Sequence, residues 1–428
     1  MKTKLEYVWL DGYEPEPNLR SKIKIIYGGI SDITQVPEWN FDGSSTQQAE
    51  GSSSDCILKP VRLYREIGQN SKIYVLCEVM KPDGTPHETN QRAKLGEEDG
   101  GLWFGFEQEY FIREGRNKPV LGHNNGFIEG QGKYYCGVGV NVIGRDIVEE
   151  HMDLCLSMGI NITGVNAEVA LGQWEYQVFG EGKIRACDDL WMSRYLMEKL
   201  SEKYNYWIDY HPKPIRTGEW NGSGLHTNFS TEKMRNEGGE TYFQSLFSAL
   251  ESRRDVHMQN YGSDNEMRLT GKFETQSIDK FSWGVSDRGA SIRVPQSTAK
   301  NWKGYIEDRR PASNANPYNI VKVISDTIDM ADELNEIKSI MFSNVNVKNF
   351  DIIREKYKGI PSSRELLEEY RNDDDYELSN EFMESKSNIE PGQQPEINVN
   401  KTTFDSLPEA LKRAMMNADN VEINPIEK

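Results

Sequence analysis

Six side chains, five carboxylates and one imidazole, set the chemistry this chain could do. Glu107 and Glu109 stand two residues apart in Trp103-Phe-Gly-Phe-Glu-Gln-Glu-Tyr-Phe-Ile112, a run that is otherwise aromatic and apolar. Such a run, bounded by Gly100, Gly101 and Gly115, reads as a strand whose i and i+2 side chains project from one face. Two ionised carboxylates held that way in a largely buried strand repel and lose hydration, so either one keeps a proton or a cation sits between them. Glu168 and Glu175 fall in Asn166-Ala-Glu-Val-Ala-Leu-Gly-Gln-Trp-Glu-Tyr-Gln-Val178, two β runs joined at Gly172. His226 lies in Gly224-Leu-His-Thr-Asn-Phe-Ser230, where His226, Asn228 and Ser230 share one strand face, and Tyr305-Ile-Glu307-Asp-Arg309 repeats the device. Supplied together from strands, these groups form an oxygen-rich set with one His, which suits Mg²⁺ or Mn²⁺ and disfavours a structural zinc. Arg268, Arg288, Arg293 and Arg309 bring the opposite charge. Planar guanidinium groups match carboxylates and phosphates, so beside a metal they imply phosphate chemistry; the alternative is internal salt bridges to these same glutamates. Neither a Gly-x-x-x-x-Gly-Lys-Ser/Thr loop nor a kinase-like glycine-rich loop occurs, so neither common nucleotide fold is indicated.

The elements that position these groups are legible in outline. Leu5 to Leu10, Ser21 to Tyr27 and Lys72 to Val79 read as strands of a small sheet-rich domain, separated by Asp11-Gly12, Gly28-Gly29 and Pro82-Asp-Gly84. Between them Pro37-Glu-Trp-Asn-Phe-Asp-Gly-Ser-Ser-Thr46 and the polar residues to Asp55 read as a turn-rich loop. The polar, glycine-bearing link from Pro82 to Gly101 marks the boundary to a second domain. There Arg145 to Met158 forms a helix, stopped by Gly159, with His151 on its apolar stripe as a packed core residue. Asn316 at the N-cap and Pro317 at the first helical position start another helix, with Ile320, Val323, Ile324, Thr327, Ile328 and Ala331 at helical spacing. The stretch after about Asn344 is an acidic extension holding Asp373-Asp-Asp375 and two short helix signals, at Ser362 to Glu365 and at Leu407 to Lys412.

Composition narrows the function classes. With 428 residues and 36% hydrophobic content, the chain can build a substantial core. Its net charge of -18 opposes phosphate backbones and anionic membranes, which argues against nucleic acid and membrane partners and for small-molecule chemistry. Cys56, Cys77, Cys136, Cys155 and Cys187 lack any Cys-x-x-Cys pair and read as reduced core residues. No apolar run is long enough to span a membrane and the N-terminus lacks a signal-peptide pattern, so a cytoplasmic location is expected.

In order and spacing, Pro-Glu-Trp-Asn-Phe-Asp-Gly-Ser-Ser-Thr, Glu-Gln-Glu-Tyr, Asn-Ala-Glu-Val, Gln-Trp-Glu-Tyr-Gln, Gly-Leu-His-Thr-Asn-Phe-Ser, Arg-Leu-Thr-Gly and Tyr-Ile-Glu-Asp-Arg-Arg-Pro resemble glutamine synthetase in its type II, eukaryote-like form. The resemblance covers about Leu5 to Met330. It implies an α+β fold with an N-terminal β-grasp domain over residues 1–85, a glutamine synthetase-type α/β catalytic domain over 95–345, and here an acidic C-terminal extension over 346–428. It further implies a homo-oligomeric assembly of stacked rings, a decamer, with active sites between subunits. The reaction implied is ATP-dependent ligation of ammonia to L-glutamate through γ-glutamyl phosphate, with two or more Mg²⁺ or Mn²⁺ ions per site and ATP as co-substrate.

By that resemblance Glu109, Glu168 and Glu175 hold one ion near glutamate, and Glu107, His226 and Glu307 hold a second on the ATP phosphates. Trp103, Asn228, Ser230, Arg288, Arg293 and Tyr305 contact ATP. Trp220, Asn221, Gly222, Gly224, Arg268 and Arg309 contact glutamate. Asp42 of a neighbouring subunit and Glu274 on a flap form the ammonium site, and these two with Arg288 and Arg309 are the catalytic set. The intact Asn-Phe-Asp-Gly-Ser-Ser loop favours ammonia over an organic amine, and the complete metal and arginine sets argue against a ring protein that kept only the fold.

Overall fold

In the computed structural model, which describes residues 2–68, 71–123, 130–216, 218–344, 397–400 and 421–424, the alternation that marks the first strands sorts their side chains to two faces. β1 (Lys2–Leu10), β2 (Leu19–Tyr27), β3 (Trp39–Asp42), β4 (Asp55–Tyr64) and β5 (Lys72–Met80) form one sheet in the order β2-β1-β5-β4-β3. The β1–β5 pair is parallel and the others are antiparallel. Leu5, Tyr7, Trp9, Phe41, Leu58, Ile73, Val75, Cys77 and Val79 bury one face as a core. The expected loop from Pro37 onward is therefore part strand: Trp39 and Phe41 alternate with Asn40 and Asp42, pair with β4, and only then turn through a 3-10 helix at Gly43–Thr46.

The second sheet carries the chemistry. β6 (Trp103–Arg113) follows the link, then α1 (Arg145–Ser157), β7 (Ile162–Ala167), β8 (Gln173–Glu181), α2 (Lys183–Tyr204), β9 (Trp207–Asp209) and β10 (Leu225–Ser230). Short helices α3 (Glu232–Asn236), α4 (Glu240–Ser252) and α5 (Arg254–Met258) precede β11 (Trp283–Val285), β12 (Ile292–Val294), α6 (Gln296–Ala299), β13 (Ile306–Asp308) and α7 (Pro317–Asn344). Strands run in the order β11-β12-β13-β10-β6-β8-β7, with β9 on the end of β6, all antiparallel except β11 with β12. α1 buries Ile147, Val148, His151 and Cys155 as its periodicity demands; His151 Nε2 meets the Ser193 carbonyl at 2.9 Å and is a core group. At the start of α7, Asn316 Oδ1 accepts from Tyr318 N–H at 3.1 Å, the expected cap. Cys56, Cys77, Cys155 and Cys187 are buried, but Cys136 is exposed at a left-handed turn and is not a core residue.

By contacts the described chain falls into two units, 1–239 with 255–324, and 240–254 with 325–428. The second contains α4, which buries Tyr242, Phe243, Leu246, Phe247 and Leu250 at helical spacing, and a parallel pair of strands, β14 (Ile397–Asn400) with β15 (Val421–Asn424). That pair was not expected of the extension, while its two helix signals lie outside the described residues. None of the helices among the described residues is long and apolar enough to cross a membrane.

Within the first unit α2 is buried against both sheets. Gly180 of β8 permits this, since a Cβ there would stand 2.7 Å from the backbone of Ala186. On the side of the second sheet Arg194 donates to Gln108 Oε1 at 2.7 Å and to the Ser313 and Ala315 carbonyls. On the other side Asp188 accepts from Arg62 at 3.0 Å, Arg92 at 2.9 Å and Tyr318 at 2.8 Å, and Asp189 from Tyr64 at 2.7 Å. Asp188 is fully buried, and removing a buried carboxylate strands the guanidinium groups paired with it. Asp188→Ala should destabilise the protein by about 3–5 kcal/mol, read from urea unfolding midpoints at fixed chain concentration, with Asp188→Asn intermediate.

Candidate active site

Pairing of β13, β10, β6, β8 and β7 sets the site residues in successive rows across one sheet face. His226 is opposite Glu107, which is opposite Gln177; Glu109 is opposite Glu175, which is opposite Asn166. Glu307 is opposite both Arg293 and Asn228. Since i and i+2 share a face, Glu107 and Glu109 project together as expected. Glu168 departs from the expectation of a strand position: it is the first residue of the turn after β7, where its N–H bonds the Gln173 carbonyl.

These rows floor a cleft of about 480 Å³ lined by Glu107, Glu109, Glu168, Glu175, His226 and Glu307, by Arg268, Arg288, Arg293 and Arg309, and by Asn221, Gly222 and Glu274. A second cavity of about 490 Å³ shares Glu107 and Gln177 with it and is lined by Trp103, Phe179, Asn228, Ser230 and Tyr305. Gly105, opposite Asn228, helps keep that cavity open.

Three expected site residues, Trp220, Gly224 and Asp42, line neither cavity. Trp220 is buried with Phe111, Val120, Ala170 and Ile215; its ring serves the core, which corrects the expectation of a glutamate contact from that side chain. Gly224 acts through its backbone, donating to Glu109 Oε2 at 3.0 Å, and a Cβ there would stand 2.5 Å from Arg268 Nη2. Asp42 is exposed at the end of β3, on the small sheet, where Ser44 Oγ at 2.6 Å and Ser45 Oγ at 2.8 Å donate to it and hold its carboxyl below the usual range. It does not reach the cleft of its own chain.

Charge is unevenly distributed along the cleft. Glu307 is paired at 2.6 Å with both Arg293 and Arg309. His226 Nδ1 faces Glu107 at 3.4 Å, Glu307 at 3.6 Å and Glu109 at 3.8 Å, while Arg268 Nη2 stands 2.9 Å from Nε2. Burial, reinforced by Arg309, pushes the imidazole pKa well down, so the ring is neutral. Toward β7 and β8 the arginines run out. Burial raises Glu109 to about 7 even though Arg268 opposes it. Burial and then Glu109 raise Glu168 to about 8, and burial, then Glu107, Glu109 and Glu168, raise Glu175 to about 9. Like charges that cannot all ionise together are a place for a cation. One ligand atom each from Glu107, His226 and Glu307 also lie within 4.8 Å of one another. The donor set, carboxylate oxygens with one imidazole nitrogen, fits a hard divalent ion.

Glu274 sits on a strained turn. Both Phe273 and Glu274 are left-handed, at φ 57° and 60°, a conformation costing roughly 1–3 kcal/mol per non-glycine residue unless neighbours enforce it. Here Thr275 Oγ1 donates to the Lys272 carbonyl at 2.8 Å and the Lys213 ammonium stands 5.0 Å from the Phe273 ring centre.

Sequence reasoning passed over Gln173, Gln177 and Asn166, although they alternate with the core residues of β7 and β8 just as Glu175 does. It also passed over Arg235, which stacks 3.8 Å from the centre of the Trp103 ring.

Residues 1–82 match the family described as "Glutamine synthetase, beta-Grasp domain", and residues 88–245 match "Glutamine synthetase, catalytic domain". The chain is 54% identical over 334 residues to the glutamine synthetase of Bradyrhizobium diazoefficiens, covering 76% of this chain and 96% of that one. The chain belongs to the glutamine synthetase family. Identity to the glutamine synthetase of the fungus Yarrowia lipolytica is 47% over 330 residues, 76% of this chain and 90% of that one. Among solved structures, the Plasmodium falciparum glutamine synthetase has the same fold, with a TM-score of 0.60 at 16% identity over 77% of this chain and 72% of that chain. As a member of the family this chain is a glutamate–ammonia ligase that makes glutamine with ATP. The five-stranded sheet is its β-grasp domain, and the cleft lies on the sheet of its glutamine synthetase-type α/β catalytic domain.

The carboxylate cluster fixes the pH response of the metal-free protein. Glu109, Glu168 and Glu175 titrate above their ordinary 4.5 when folded, so between about pH 4.5 and 9 the native state holds more protons than the unfolded one and stability falls as pH rises. His151 and His226, held below their ordinary 6.5 by burial, act in the opposite sense below that pH, so the melting temperature of chelator-treated protein should drop from pH 7 to pH 9, and saturating Mg²⁺ should flatten that slope. A metal-independent profile would contradict this reading of the cluster.

Proposed function

We propose that glutamate and the ATP phosphates meet in the 480 Å³ cleft and that the nucleobase end of ATP occupies the second cavity. The observation that carries this is the shared wall. A charged cleft with carboxylates and arginines adjoins, across Glu107 and Gln177, a cavity lined by the rings of Trp103, Phe179 and Tyr305, which matches a molecule with a polyphosphate at one end and an aromatic base at the other.

Glu109, Glu168 and Glu175 would hold one divalent ion, and Glu107, His226 and Glu307 a second, Mg²⁺ or Mn²⁺ in each case. Such ions, when bound, neutralise charge developing on the transferring phosphoryl group and on ADP. For His226 Nδ1 to offer a lone pair, the ring hydrogen must sit on Nε2, where Arg268 now stands; the guanidinium then turns from the ring and is available to a glutamate carboxylate.

The chain's own residues account for the rest. Arg268, Arg309 and the Asn221 to Gly224 backbone orient glutamate so that its γ-carboxylate oxygen faces the γ-phosphate of ATP. Arg288 and Arg293 stabilise charge on the phosphates, and Asn228, Ser230, Tyr305 and Trp103 hold the nucleotide. The product of that transfer, γ-glutamyl phosphate, is destroyed by water, and the turn bearing Glu274 shields it until ammonia attacks. Ammonium is not nucleophilic. A carboxylate, Asp42, binds the cation and takes its proton as attack on the acyl carbon proceeds and phosphate leaves.

Because Asp42 lies outside its own cleft, we assign it to the site of a neighbouring subunit in a ring assembly, a decamer by family resemblance. The β-grasp domain spans 1–85, the catalytic domain 95–345 and the extension 346–428, which supplies none of these groups.

Chains carrying Asp42→Ala and chains carrying Glu175→Ala should each make little or no glutamine when assembled alone. Co-assembled from dissociated subunits in equal amounts, they should recover roughly a quarter of wild-type sites, since an intact Asp42 then faces an intact ligand set at that fraction of interfaces. Verified mixing with no recovery of glutamine formation would place Asp42 in its own chain's chemistry or outside catalysis.

A further inference from the structure

Behind Glu168 and Glu175 lies a chain of side-chain amides to which no role has been given. Gln177 Nε2 donates to Asn166 Oδ1 at 3.1 Å and makes a short bond to Glu175 Oε1. Asn166 Nδ2 in turn donates to Glu168 Oε1 at 2.9 Å. Every donation points toward a carboxylate. With the acids ionised, as cation binding requires, turning either amide over would set its oxygen against an acid oxygen, so the network then has one satisfied orientation. The register explains why the relay can exist. Asn166 and Glu175 are cross-strand partners, as are Gly164 and Gln177, and all four positions share one sheet face. Gly164 is the space into which Gln177 folds: a Cβ there would stand 1.8 Å from Gln177 Oε1.

We propose that Gln177 and Asn166 are positioning residues that fix the Glu168 and Glu175 carboxylates for cation binding, an inference that rests on the metal reading given above. Two acids of like charge left to themselves turn apart. The relay ties the Oε1 atom of each to a common amide pair, while among the described residues no protein hydrogen bond reaches Glu175 Oε2. One oxygen of Glu175 is thus held and the other is presented. Partners behind first ligands typically change metal affinity by about ten- to a hundredfold when removed. The second ligand set is supported differently, Glu307 by Arg293 and Arg309 and Glu107 by Asn228 Nδ2 at 2.8 Å, so loss of the relay should be felt on one side only.

The test is Mn²⁺ titration of the full chain without ATP or glutamate, with free Mn²⁺ read by electron paramagnetic resonance and folding checked by melting temperature. Glu175→Gln identifies the class of sites that includes Glu175. Gln177→Met, which fills similar volume without donating, should weaken that class about ten- to a hundredfold and leave the other unchanged. Asn166→Ala should act in the same direction. Gly164→Ala should reproduce the loss by displacing an intact Gln177, which a role in bulk packing does not predict. Unchanged Mn²⁺ affinity in both Gln177→Met and Asn166→Ala, or equal weakening of both classes, overturns the relay. Should Gln177→Met fail to fold, Asn166→Ala and Gly164→Ala decide. If Glu175→Gln itself alters neither class, the metal reading fails; if it removes one class while the relay variants bind normally, only the relay fails.

Discussion

Repulsion among buried carboxylates is the constraint from which the rest of this structure follows. Glu109 and Glu175 on one sheet face and Glu168 at the turn beside it come together where, among the described residues, no arginine is paired with them as Arg293 and Arg309 are paired with Glu307. A fold that needed only stability would not keep such a cluster, since well-packed apolar residues are commonly as stable or more so. By the function proposed above the cluster is half of an interaction whose other half is a divalent cation, and the arginines on the far wall are partners for phosphate and carboxylate groups. In the proposed reaction one cation lies at the β8 end of the cleft and the other beside the arginines, with the phosphoryl group to be transferred between them.

Holding five acids against their mutual repulsion requires a rigid frame. The eight-stranded sheet supplies it by register, since each acid on β6, β8 and β13 is flanked by cross-strand partners that fix its direction. α2 braces that sheet through Arg194 and at the same time binds the β-grasp sheet through Asp188 and Asp189. One buried helix thus couples the sheet that carries the acids to the domain that carries Asp42. If Asp42 serves a neighbour, this coupling makes its placement as precise as the catalytic sheet itself.

Much of this was legible in the residues. Glu107 and Glu109 on one strand face, the cap at Asn316 and the stripe of α1 follow from periodicities of two and 3.6, which act locally. The order of short motifs brought in the family. What escaped depends on contacts distant in sequence. Trp39 to Asp42 looks like loop because its strand character comes from pairing with β4. Trp220 sits beside the Asn221 to Gly224 turn in sequence, yet its ring belongs to a core cluster with Phe111 and Ile215. Glu168 lies one residue beyond its strand, a distinction set by the hairpin and not by residue type. Gln177 and Asn166 were passed over because an amide carries no charge to draw attention, although their alternation with core residues placed them on the acid face.

Protonated carboxylates in the cleft should give way to divalent cations. Calorimetric titration of Mn²⁺ at pH 7 into the metal-free protein, in two buffers of different ionisation enthalpy, measures it directly as protons released per ion. Acids raised to about 7, 8 and 9 predict release of at least one proton per cleft, decreasing as the pH is raised past 9, and its loss in Glu175→Gln. Binding that releases no proton at pH 7 would contradict the account, because the carboxylates would then be ionised together without a cation to hold them.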